Sequence, residues 1–256
     1  MLHSSSLKQQ QRGEALVARS YKATTLRAMV AIPCFNTEDY VADVVSRAKR
    51  YVEQVIVVDD GSHDGTAEKA KAAGAMVVSH SVNRGYGEAI RSCFEVAKAE
   101  AAEILAILDG DGQHDPDELP QVLAPILAGE ADVVIGSRFL GEKTNMPRYR
   151  KFGIDVITFL SNFGSNVRVS DAQSGFRAYS AQVIAAFPLK ANGMAISVEI
   201  LIKARQRGFT IREVPISCLY HSNSSSLNPA IHGLDVALTV IKLRLKHGLF
   251  AKRTER

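Results

Sequence analysis

The sequence predicts an α/β fold built on a mostly parallel, doubly wound sheet, and three observations carry that expectation. From Arg27 onward, short β-branched runs alternate with amphipathic helical patterns, the series of βαβ units that gives a parallel sheet. Acidic and glycine-rich turns follow the apolar runs, where the strand ends of such a sheet border a ligand crevice. The 256 residues, 46% hydrophobic and 23% charged, suffice to bury one sizeable core, so a single large domain with extensions is expected.

The elements follow in order. A first strand is read over residues 29–32, then a helix over 39–50. A second strand over 55–58 leads into a helix over 65–73. Val77 and Val78 mark a third strand, with a helix over 85–101 behind it. The fourth strand, 104–108, precedes a helix over 116–127, whose start is signalled by Asp115-Pro116, because Asp caps helix N-termini and Pro is tolerated in the first turn. A fifth strand covers 133–135. Beyond Gly141 the pattern loosens into 143–151, a helical stretch near 154–163, and the turn 171–177, which reads as an acceptor half. Residues 229–250 place Ile231, Leu234, Leu238, Ile241, Leu245 and Leu249 on one stripe, with Lys242, Arg244 and Lys246 elsewhere. This is an amphipathic helix expected to lie flat rather than span. Three segments result: a basic, poorly ordered leader over 1–27, the main domain over 28–227, and the basic terminal helix over 228–256.

Composition narrows the function classes. Cys34, Cys93 and Cys218 are widely spaced and form no CxxC pair, which fits reduced thiols in a cytoplasmic protein. No run of about 18 apolar residues occurs, and polar Ser and Gln residues open the chain, so neither a membrane span nor a secretory signal is expected. The net charge of +4 conceals an asymmetry: residues 1–27 carry five Lys/Arg against one acid and residues 242–256 six against one, leaving 20 basic and 25 acidic residues between. Basic ends on an acidic body suit an anionic membrane surface better than nucleic acid, which asks for a basic stripe on the folded body. Solvated tails are the plain alternative.

The turns after the strands carry the chemistry. Asp109-Gly110-Asp111-Gly112-Gln113-His114 sets two carboxylates one residue apart at the end of a buried strand. Gly110 lets both converge on one hard cation, whose shell phosphate oxygens and water complete, so a metal diphosphate is the expected ligand. Asp59-Asp60-Gly61-Ser62 ends the second strand with two acids that repel unless turn amides, a base edge or a cation satisfies them; an Asp-rich turn is the ordinary alternative. Gly85-Tyr86-Gly87 begins like a dinucleotide-binding GxGxxG but has Ile90 where the third glycine belongs. As a glycine turn opening a helix beside Arg84, it can still hold a phosphate. Pro33, Asn36 and Glu38 follow the first strand, and Ser137 and Arg138 the fifth, so five strand ends converge on one crevice. His63, His80, His114, His221, His232 and His247 form no HExxH or Cys/His cluster, which argues against a zinc enzyme. The chain also lacks the GxSxG elbow of hydrolases and the GxxxxGK[ST] loop of P-loop kinases.

In that order, Ile32-Pro33-x-Phe35-Asn36, Val58-Asp59-Asp60-Gly61-Ser62-x-Asp64-Gly65-Thr66, Asn83-x-Gly85-x-Gly87, Asp109-x-Asp111-x-Gln113-His114, Gly136-Ser137-Arg138 and Ser174-Gly175-Phe176-Arg177 make the chain resemble the family 2 glycosyltransferases. The resemblance covers roughly 29–215 and is strongest to the dolichol- or polyprenyl-phosphate mannosyltransferase type. It implies a GT-A sheet, a nucleoside-diphosphate sugar donor, Mg²⁺ or Mn²⁺, and a polyprenyl phosphate acceptor at the cytoplasmic membrane face. By the same resemblance Pro33, Phe35 and Asp60 line the nucleoside pocket, and Asp109, Asp111 and Gln113 hold the metal and the donor diphosphate. Arg138 and Arg150 match positions that receive the lipid phosphate, and Glu199 and Val214-Pro215 fit the later pattern. A phosphate acceptor is already anionic and needs arginines more than a base. A soluble hydroxyl acceptor, the alternative, would need an acid such as Asp171 to take its proton. The sequence departs from the pattern twice. Thr37 stands where a donor-binding acid is usual, with Glu38 next to it, and the loop 220–227, Ser-rich from His221 to Ser226, replaces an arginine-bearing lid.

Overall fold

The computed structural model describes residues 27–141, 146–186, 188–219, 238–239 and 241–242. Its strands are β1 (Ala28–Cys34), β2 (Gln54–Asp59), β3 (Met76–Ser79), β4 (Ile104–Ile107), β5 (Val133–Ser137), β6 (Arg177–Ser180) and β7 (Ile211–Pro215). The helices are α1 (Val41–Ala48), α2 (Thr66–Ala72), α3 (Tyr86–Ala99), α4 (Leu119–Leu127), α5 (Arg148–Asn162), α6 (Ala181–Ala186) and α7 (Ala195–Gln206). The leader expected before residue 27, the loop 220–227 and most of the helix expected over 229–250 lie outside the described residues; Leu238 and Ile241, which are described, are exposed.

One seven-stranded sheet has the order β3-β2-β1-β4-β6-β5-β7. Alternate residues of its strands enter two separate cores. Met29, Ala31, Ile56, Val58, Leu105 and Ile107 pack with α3, α6 and α7 on one side. Val30, Ile32, Val55, Val57, Ile104 and Ala106 pack with α1 and α4 on the other. Strands buried on both faces read as unbroken apolar runs, which is why the five strands were legible as short β-branched stretches.

The connectivity places the crevice. The chain winds outward through β1, β2 and β3, then β4 returns to the far side of β1, so the order reverses between β1 and β4. A crevice opens at such a switch point, beyond the carboxyl ends of the strands. The Asp109 turn and the end of β1 share it. β6 runs antiparallel between β4 and β5, with Ile107 and Ile135 both in register with Arg177. Being antiparallel, it begins where its neighbours end, which delivers the turn 171–176 to the same edge.

Boundaries differ from the sequence reading in a few places. The helix expected from residue 116 is a 3₁₀ turn, Pro116–Glu118, followed by α4. Asp115 caps that turn by accepting the Asp117 N–H at 3.0 Å. Pro120 stands in the first turn of α4, where a residue without an N–H costs nothing. The stretch near 154–163 begins earlier, at Arg148, just after Pro147.

Gly61 shows how closely the loops pack. Its φ is +73°, and a Cβ there would stand 2.5 Å from the Val82 carbonyl carbon and 2.6 Å from the Asn83 nitrogen. Gly129 has a similar φ of +70° but nothing within 4 Å. In urea melts, Gly129→Ala should cost about 1 kcal/mol, the left-handed backbone alone. Gly61→Ala should cost roughly 3 kcal/mol or more, because backbone must also move; equal costs would contradict the packing.

Candidate functional site

Asp109 and Asp111 extend from the end of β4. Asp109 is 30% exposed, and its neighbours are distant: the Tyr86 hydroxyl lies 3.4 Å from Oδ1 and His114 Nε2 lies 3.4 Å from Oδ2. Asp111 accepts the Gln113 backbone N–H at 3.0 Å and the Gln113 side-chain amide at 2.6 Å. Burial, and then the charge of Asp109, push the Asp111 carboxyl above its usual range. Two such acids with weak donors on one of them are a donor set suited to a divalent cation, which removes the repulsion. Among the described residues no group of three or more His, Cys, Asp or Glu forms a closed metal cage. The pair therefore suits an ion that keeps part of its shell for substrate oxygens, as Mg²⁺ does. Gln113 enters as the hydrogen-bond partner of Asp111.

Backbone closes around these acids. A Cβ on Gly110 would meet Cys34 Sγ at 2.3 Å, and one on Gly175 would meet Asp109 Oδ2 at 2.2 Å. The Ser174-Gly175-Phe176-Arg177 turn thus lies against the carboxylate only because Gly175 has no side chain. Arg177, 2% exposed, holds that turn by donating to the carbonyls of Ala172, Ser174 and Ser197. Burial pushes the Cys34 thiol up to about 12, which keeps it protonated beneath the site. All three cysteines are buried and none is in a disulfide.

The ends of β1 and β2 interlock. Asn36, at φ 51°, accepts the His63 N–H at 3.0 Å and donates its own N–H to Ser62 Oγ at 2.9 Å. Asn tolerates this left-handed conformation better than most residues. Glu38 accepts the Gly65 N–H at 3.2 Å and pairs with Lys69 at 3.1 Å, so its carboxylate caps the start of α2 instead of replacing an acid at Thr37. Pro33 is buried within β1, whereas Phe35 stands exposed at the rim. Asp59 accepts the Ser62 N–H at 3.1 Å.

Asp60 corrects the reading of the glycine turn. It accepts the Arg84 N–H at 2.9 Å and the Gly85 N–H at 2.7 Å. Two amides of the turn read as able to hold a phosphate are thus spent on an internal carboxylate, and the Arg84 side chain is exposed. His80 lies 2.6 Å from Asp60, a contact that the sequence reading missed because it weighed His80 only as a zinc ligand. Tyr86 was missed in the same way, hidden between the two glycines of its motif.

At the end of β5, Arg138 meets Asp171. Arg138 Nε and Nη2 donate to the two oxygens of Asp171 at 2.7 and 2.9 Å. Asp171 is fully buried; burial would raise its carboxyl, but the hydrogen bonds and charge of Arg138 outweigh it and hold it below the usual range. Glu213 of β7, also missed, accepts the backbone N–H groups of Ser170 and Asp171 at 2.8 and 3.1 Å. Arg150 is half-buried in the first turn of α5.

A family model described as glycosyl transferase family 2 matches residues 29–187. The chain is 31% identical over 211 residues to a UDP-N-acetylglucosamine–dolichyl-phosphate N-acetylglucosaminyltransferase of Methanococcus voltae, covering 74% of this chain and 84% of that relative. It is 32% identical over 206 residues to a polyprenol monophosphomannose synthase of Mycolicibacterium smegmatis, covering 75% and 77%. Among solved structures, glucosyl-3-phosphoglycerate synthase of Mycobacterium tuberculosis, in complex with Mn²⁺, uridine diphosphate and glucosyl-3-phosphoglycerate, superposes with a TM-score of 0.69. It is 23% identical and covers 92% of this chain and 84% of its own, a likeness that shows the fold.

The strain between Asp109 and Asp111 has a measurable sign. A folded carboxyl raised above its unfolded value contributes stability at low pH that is lost as pH rises through the folded value. At neutral pH without metal, Asp111→Asn should therefore raise the melting temperature, on the order of 2 °C. MnCl₂ should raise the melting temperature of the unsubstituted protein and leave the variant unmoved; an equal rise in both would place the ion elsewhere.

Proposed function

The chain belongs to glycosyl transferase family 2 and has the GT-A fold, and from that premise we propose that it moves one sugar from a nucleoside-diphosphate donor to a polyprenyl phosphate at the cytoplasmic face of a membrane. That it is a glycosyltransferase follows from the family; donor, metal and acceptor are our reading. Relatives named for dolichyl phosphate and polyprenol support the acceptor, and a fold neighbour holding Mn²⁺ with uridine diphosphate supports the donor and metal.

Asp109 and Asp111 would hold the metal, with Gln113 fixing Asp111. A divalent ion there supplies positive charge to the departing diphosphate. The acceptor attacks the anomeric carbon from the opposite side, with inversion. Asp171 is poorly placed to act as a base for a hydroxyl acceptor, since its proton affinity is lowered and its oxygens are forked by Arg138. A phosphate monoester needs no base. Arg138, fixed in orientation by Asp171, and Arg150 would receive it by charge and hydrogen bonding.

The observation that carries the lipid reading is α5. Ile154, Ile157, Thr158 and Ser161 are its buried residues. On the opposite side Tyr149, Phe152, Val156, Phe159 and, at its end, Phe163 follow one another at helical spacing and are exposed, Phe152 by 72% and Phe159 by 65%. A helix apolar on both sides, with Arg148, Arg150 and Lys151 at its start, suits an interface between water and anionic lipid. No helix among the described residues is long and apolar enough to cross a membrane. Membrane contact, assigned from sequence to the terminal helix, is thereby given a second element beside Arg150.

Incubated with labelled nucleotide sugars, MgCl₂ or MnCl₂, and vesicles containing polyprenyl phosphate, the protein should form a chloroform-soluble product; water-soluble product alone would overturn the acceptor. Asp109→Ala and Asp111→Ala should each lower transfer roughly 10³-fold. Phe152→Glu with Phe159→Glu should abolish sedimentation with anionic vesicles while leaving nucleotide binding intact; persistence of vesicle binding would remove α5 from the interface.

A further inference from the structure

Behind the carboxylates of β4 lies a chain of hydrogen-bonded side chains that touches neither sugar nor metal in the reaction proposed. His80 follows β3 and is enclosed, with 7% of its side chain exposed. Its Nδ1 lies 2.6 Å from Asp60 Oδ1 and its Nε2 lies 2.9 Å from Ser92 Oγ. An imidazole held between a carboxylate and a hydroxyl has its ring plane fixed, with Nδ1 paired to Asp60 and Nε2 to the Ser92 hydroxyl.

Asp60 in turn accepts the Arg84 and Gly85 amides. Gly85 precedes α3 at φ 88°, a conformation open to glycine because it has no side chain. Tyr86 opens α3 and points its hydroxyl at Asp109, 3.4 Å away. Ser92 belongs to the same helix, so α3 is held at its start through Asp60 and further along through His80. The turn before α3 is also trapped from below, where Gly61 lies against the backbone of Val82 and Asn83. Without the imidazole the Asp60 carboxylate keeps its two amides but loses its side-chain partner, and α3 loses its second tether, the one through Ser92.

We propose that His80 is a positioning residue for the donor: by clamping Asp60 against the Arg84–Gly85 turn and tethering Ser92, it fixes the end of α3 that brings Tyr86 to Asp109. This rests on the donor reading above. It assigns His80 to donor affinity and leaves the chemical step to the carboxylates.

The test is equilibrium binding of UDP and of GDP, each with MnCl₂, to the full chain and to His80→Phe, His80→Asn and Ser92→Ala, with melting temperatures in parallel. The unsubstituted protein should bind one of the two nucleotides. His80→Phe keeps the volume and loses both bonds, so affinity should fall about tenfold, the worth of one hydrogen bond to a carboxylate. His80→Asn can still donate to Asp60 and should recover most of that loss, and Ser92→Ala should weaken binding about threefold. Unchanged affinity in His80→Phe overturns the proposal. So does an equal loss in His80→Phe and His80→Asn that tracks equal falls in melting temperature, which is a structural role only. Failure of the unsubstituted protein to bind either nucleotide overturns the donor reading itself, and this inference with it.

Discussion

Two carboxylates at the end of one buried strand repel each other, and the surroundings of β4 hold them without neutralising them. A full complement of donors on Asp109 would relax the pair and leave nothing for a cation to do. Instead, among the described residues, the polar side chains nearest Asp109 are Tyr86 and His114, each at 3.4 Å, and Asp111 is raised by its burial and its neighbour. The rest of the fold serves that tension. β1 and β4 flank the switch point, Gly110 and Gly175 admit backbone to within contact, and α3 presents Tyr86 from the third side. On the reading proposed above, the stability lost between the acids would return as affinity for an ion and a diphosphate.

The two halves of the crevice are held by different means. At the ends of β2 and β3, internal carboxylates take backbone amides: Asp59, Asp60 and Glu38 together fix the turns there. Beside β5, Glu213 takes the amides of Ser170 and Asp171, and Asp171 takes Arg138. Arg138 is therefore oriented from β7, a strand more than seventy residues later. A guanidinium so fixed loses little entropy in meeting a phosphate.

Legibility in the sequence followed the range of the interaction. The first five strands are short apolar or β-branched runs and the first four helices local helical patterns, and each was readable without tertiary information. The acids of β2 and β4 were readable because turns rarely demand so many. β6 was not, since Arg177-Ala178-Tyr179-Ser180 has neither length nor alternation and becomes a strand only between β4 and β5. The same limit hid His80, whose meaning depends on Asp60 and Ser92, and misassigned the Arg84 and Gly85 amides, whose acceptor comes from another strand. α5 was seen in part: its aromatic face breaks the rule that exposed helix positions are polar, and its buried side alone gave the periodic signal.

The position of β6 also orders assembly. β4 pairs with β1 on one edge and with β6 on the other; β5 joins the sheet only through β6, and β7 only through β5. As the chain is synthesised, β1 to β4 can associate, yet the outer edge of β4 has no partner until residues 177–180 have been made. An unpaired apolar edge is a template for association with other chains. The strand that leads into Asp109 and Asp111 is thus the interim border of a half-built sheet, and the insertion that completes it also brings the turn 171–176 into place.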